Sequence, residues 1–115
     1  MIEKIVMDYL ISANIDGVGG NVKVTVPVNP PDEYIIIEKT GSNEENVIEE
    51  ATMAIQSYSK KSMLRAIEIN EAVKDAMRAM PWSTDVFSVK LNSDYNFTDT
   101  ETKEYRYQAV YNITY

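Results

Sequence analysis

The chain has no cysteine and no histidine. The first absence removes disulfides, thiol nucleophiles and thiolate ligands. The second removes the commonest general base near neutral pH, and together they remove most zinc sites. Catalysis would have to rest on carboxylates, lysines, tyrosines or hydroxyls, so the expectation is a chain that is not an enzyme and carries no cofactor. Long hydrophobic runs are also missing: none approaches the roughly 20 apolar residues of a membrane-spanning helix. The opening MIEKIVMDYLISANI places Glu3, Lys4 and Asp8 inside its apolar run, which breaks a secretory core. These absences lead us to expect a soluble chain, made in a cytoplasm and without a membrane partner.

Glycine is scarce too, with four residues, three of them at Gly17, Gly19 and Gly20. A phosphate-cradling loop would need a Lys-Ser/Thr and a following helix, whereas the next residues alternate as a strand, so this is a turn. Basic charge is short only in the first half. Residues 1–58 hold ten acids against three bases, and residues 59–115 hold eight of each. A chain of net charge −7 with no basic stripe is a poor tight binder of nucleic acid. The acid excess serves solubility, or else an acidic surface along which DNA slides without sticking.

What is present amounts to one domain, residues 1–115, with a 44% hydrophobic share sufficient for an ordinary core. Ile2, Ile5, Val6, Tyr9, Leu10 and Ala13 keep helical spacing, predicting a helix over 2–13 that stops at Asn14–Gly17. Alternating valines predict a strand over 22–28, with Pro27 at an edge or bend, followed by a rigid Asn-Pro-Pro-Asp connector. Residues 34–40 (YIIIEKT) carry β-branched side chains on both faces, as in a strand covered on both sides, and Gly41-Ser42-Asn43 closes it. Residues 52–58 are read as a third strand, although EENVIEEATMAI is also compatible with helix. Ser59 or Ser62 can cap the next helix, residues 63–80, which Pro81 stops. Phe87, Val89 and Leu91 mark a fourth strand. Residues 93–102 (SDYNFTDTET) read as a polar, mobile loop, and residues 105–115 as the last strand. The fold class expected is α+β: a mostly antiparallel sheet of four to five strands with two helices on one face, in the order α-β-β-β-α-β-β.

Candidate chemistry is thin. Glu44, Glu45, Glu49 and Glu50, and separately Asp94, Asp99 and Glu101, offer oxygen donors but lack the glycine turn and spacing of a calcium loop; they read as solvated faces, with no metal. Met63, Met77 and Met80 read as core filling. Tyrosine is the abundant aromatic, eight against two Phe and one Trp. Tyr105, Tyr107, Tyr111 and Tyr115 share one strand face. Such a face suits a surface buried on association, or equally a sheet face packed under the protein's own helices. With Tyr95, Asn96, Phe97 and Asp99 of the preceding loop they form the candidate interface.

Over its whole length the chain resembles the tail terminator (tail completion) proteins of long-tailed phages and prophages. The resemblance is carried by the opening helix, by YIIIEKTG after a proline-bearing connector, by ATMAIQSYSKKSMLRAIEINEAVKDAM, and by the closing SDYNFTDTETKEYRYQAVYNITY. It implies a structural protein of the virion tail, assembled in the bacterial host cytoplasm. Copies would form a ring, commonly a hexamer and in some cases only on assembly, that docks on the tail tube protein and stops tube growth. The ring would present a surface to a head-completion or connector protein and let DNA pass through its channel without specific binding. The alternatives are a head–tail connector or stopper, and a small ligand-binding or regulatory α+β domain.

Overall fold

The computed structural model describes residues 1–45, 48–99, 101 and 104–115. In chain order the elements are α1 (Ile2–Ala13), β1 (Val22–Lys23), β2 (Glu33–Glu45), β3 (Ile48–Ser59), α2 (Met63–Ser83), β4 (Ser88–Asn96) and β5 (Tyr105–Thr114). The architecture is α+β in the expected order. The five strands form one sheet, β1-β2-β3-β5-β4. Every pairing is antiparallel except the short parallel contact of β1 with β2.

Both helices serve one sheet face. Val6 and Leu10 of α1 join Ile69, Val73 and Met77 of α2 over Ile35, Ile37, Met53, Ile55, Ala109, Tyr111 and Ile113, all fully or almost fully buried. Each large apolar side chain so removed from water contributes roughly 1.5–3 kcal/mol. The opposite face has a smaller cluster, Tyr34, Ile36 and Tyr58. Residues 34–37 are therefore buried on both sides, as their unbroken apolar run requires. Among the described residues no helix is long and apolar enough to cross a membrane.

Helix ends follow local chemistry. Asn14 takes the left-handed conformation at φ 50° and its N–H bonds the Ile11 carbonyl, ending α1. Ser62, not Ser59, caps α2 by accepting from the Arg65 N–H at 3.1 Å. Ser59 lies at the end of β3, where its hydroxyl donates to buried Glu33.

Five boundaries depart from the sequence expectation, the first being the start of β3, which lies at Ile48 and not at residue 52 because β2 and β5 pair with its early part. The strand expected over 22–28 shrinks to Val22–Lys23, because the chain must turn back to enter β2 in parallel and Pro27 has no N–H for a ladder; Val24, Val26 and Val28 stand exposed. Gly41-Ser42-Asn43 does not end β2. A register shift between Lys39 and Gly41 absorbs the irregularity, and the strand runs on to Glu45. Pro81 sits inside α2, which continues to Ser83; in a last turn its missing N–H forfeits a single bond, and the Met80 carbonyl accepts from the Thr84 hydroxyl. Of the expected loop over 93–102, residues 93–96 belong to β4, paired with β5. Thr100 and Thr102 of that loop, and Asn46 and Val47 of the segment that also admitted a helix, lie outside the described residues.

Candidate assembly surfaces

The sheet's pleat divides the expected interface into two groups. Tyr105, Tyr107 and Tyr111 lie on the helix side of β5, with Tyr115 just beyond the strand. Tyr111 is buried opposite Met53 and beneath α2, whereas Tyr105 is exposed and Tyr107 and Tyr115 are half-buried. Tyr95 and Phe97 are exposed and meet edge to face at 5.9 Å. Asn96 and Asp99 are exposed and shape the turn: Asn96 Oδ1 accepts from the Thr98 N–H and Asp99 Oδ1 from the Glu101 N–H, each at 2.9 Å.

Around Tyr95 and Phe97 the uncovered sheet face holds a polar aromatic network that the sequence reading did not single out. Tyr34 and Tyr58 stack with ring centres 4.5 Å apart. The Arg106 guanidinium lies 4.4 Å from the Phe97 ring centre and donates to the Phe97 carbonyl and to the Tyr58 hydroxyl. Gln56 donates to Gln108, which donates to the Tyr95 hydroxyl at 2.6 Å. The Tyr34 hydroxyl donates to Glu104. Burial, reinforced by the Glu104 carboxylate that holds its proton, pushes the Tyr34 phenol well above its ordinary range. Val26 and Asp99 join these residues around a cleft of about 290 Å³. The signal for this face was the unbroken apolar run of residues 34–37, which requires a second set of partners on the side away from the helices.

A second site lies on the helix side, between α2 and the outermost strand β4. Lys74, Arg78, Val89, Leu91 and Tyr111 enclose about 120 Å³. Lys74 donates to Asp94 at 3.0 Å and to Glu71 at 3.1 Å, and these carboxylates raise its pKa. The Tyr111 hydroxyl is closed off from solvent and makes no hydrogen bond. Burial pushes its phenol upward, leaving it a neutral donor at physiological pH.

The two remaining acidic features differ in kind. Glu44, Glu45, Glu49 and Glu50 lie exposed on the β2–β3 hairpin, with Glu44 opposite Glu49 and Asn43 opposite Glu50. Asp94 is instead tied to Asn70 and Lys74 of α2. Among the described residues no three carboxylates converge as metal ligands.

No protein-family model matches this chain. None of the curated proteins matches it in sequence. Among solved structures, its fold is similar to that of a chain in the "Virion of native gene transfer agent (GTA) particle", with a TM-score of 0.74 at 14% sequence identity, covering 98% of this chain and 92% of that one.

Proposed function

We propose that this chain is a structural protein of a phage-like virion and, more narrowly, a tail terminator: a single-domain subunit of a ring that caps the tail tube and receives the head. The observation that carries the reading is the end-to-end fold correspondence with a virion chain, since nearly all of both chains superposes and little is left over for another activity. The sequence resemblance to terminators supports the narrower assignment. Physical logic agrees with it: tube growth repeats one heterologous contact, and stopping it needs a piece that matches the growing end and lacks the surface for the next ring. In this reading the ring, a hexamer, contacts the tube protein on one side and a head-completion protein on the other, and the acidic first half lets DNA pass unbound. The protein performs no bond-making step.

Disrupting its gene in a producing host gives tails of uncontrolled length and unjoined heads, seen by electron microscopy, and expression in trans restores joined particles. Tails of normal length that join heads without the chain overturn the terminator assignment.

A further inference from the structure

Among the described residues the sheet has no outer partner strand on either side. At one side β4 is outermost, with nine residues of backbone on its free edge. At the other, β1 covers only Ile35 and Ile36 of β2, so the stretch of β2 leading to Glu45 has no outer neighbour among the described residues. Long open edges invite pairing with another chain. Open edges on opposite sides of one sheet suit a head-to-tail contact between identical copies, the kind that closes into rings.

The cleft beside β4 indicates what docks there. Its volume of about 120 Å³ fits one side chain, far below the roughly 300 Å³ or more of a small-molecule pocket. Tyr111 borders it with a hydroxyl that is buried and unpartnered, an arrangement that stays unfavourable until a partner is found. Arg78 is held only by Asp75 in a pair whose side chains are 71% and 77% exposed, so it is free to turn to a better acceptor. Lys74 is already held by Asp94 and Glu71, so the donors left over at the cleft are the Tyr111 hydroxyl and Arg78, a pair that one carboxylate can take up.

The chain carries that carboxylate on its other edge. Glu44 and Glu49 face each other across the β2–β3 hairpin, a like-charge pairing that destabilises a hairpin standing alone. Neither takes part in the ion pairs found among the described residues. Register puts Glu44 on the helix side of the sheet: Ser42 pairs with buried Ala51 of the core, and Glu44 lies two residues further along β2. A sheet continued from β4 of one copy into β2 of the next keeps its faces, so Glu44 arrives on the side where the cleft opens.

We propose that successive copies join by this edge-to-edge contact, with the β2–β3 arm of one copy lying along β4 of the next and its Glu44 carboxylate seated against Tyr111 and Arg78. The contact rests on the ring reading and specifies its joint. Backbone pairing supplies adhesion and the carboxylate pocket supplies register.

Because the chain has no cysteine, a Glu44→Cys/Leu91→Cys variant reports the joint directly. Mild oxidation yields a ladder of covalent oligomers that ends at the ring size, and neither single variant gives more than a dimer. Arg78→Glu weakens self-association at least tenfold, and adding Glu44→Arg in the same chain restores it. Tyr111→Phe keeps the fold and still weakens association about tenfold, the loss expected for one hydrogen bond to a charged group. Rings visible by electron microscopy without the 44–91 ladder, or unaltered assembly of Arg78→Glu, overturn this joint and leave the terminator reading standing. A chain that stays monomeric, both purified and in isolated tails, removes both.

Discussion

At the residue scale the strongest single tie is Glu33. Its carboxylate is buried at the start of β2 and takes two bonds of 2.9 Å from Arg65 and one of 3.0 Å from Ser59, with Lys61 at 4.0 Å. Arg65 also reaches the Asp16 carbonyl, so one guanidinium joins the turn after α1, β2, the end of β3 and the start of α2. Gly17, at φ +83°, leaves room for the pair; a Cβ there would run into Glu33 Oε1 and Arg65 Nη2. The Arg65 hydrogen bonds hold the Glu33 carboxyl below the usual carboxylate range in spite of its burial. A depressed folded-state pKa contributes stability above the unfolded value of about 4.3, and that contribution disappears as pH falls through the folded value. We therefore expect Glu33→Gln to cost about 3 kcal/mol at pH 7, because it leaves Arg65 with only the exposed Glu68 as counter-charge. The difference from wild type should begin to narrow below about pH 4.3, where the unfolded chain takes up the proton, and should close only when the folded carboxyl is also protonated, in urea unfolding across a pH series. Nothing in the sequence separated Glu33 from the other seventeen acids, because its partner stands 32 residues away on a helix.

At the scale of elements, what was legible had its cause nearby. The limits of α1 follow from apolar spacing and Asn14, and β5 from its alternation. The start of α2 was narrowed to two serines, and only the buried bond from Ser59 to Glu33 decides between them. Replacing Ser62 with Ala should cost about 1 kcal/mol in thermal or denaturant unfolding, with helix content otherwise retained. Where pattern misled, a partner was lacking or distant. Residues 22–28 alternate correctly, yet among the described residues no strand lies outside β1 to hold them. The polar residues 93–96 have no pattern of their own and become strand because β5 offers them a ladder.

For the whole molecule, the tyrosine-rich face proved to be two environments. Tyr111 stands in the core, so Tyr111→Ala should cost about 3–5 kcal/mol and impair folding before assembly. Half-buried Tyr107 should lose less stability on truncation; comparison of its Tm with its oligomer distribution will show which role it serves. The α+β class and element order were readable because period and turn chemistry suffice for them. Which residues come to the open edges of the sheet was not, because that depends on how the strands are ordered. The same ordering has a consequence for synthesis. The strand that fills the gap between β3 and β4 is β5, the last of the five to leave the ribosome, and the Gln56–Gln108 bond spans 52 residues. Until it emerges, β3 has one bare flank and β4 has no strand to pair with. The sheet cannot close around β3 and β4 until that strand has been made.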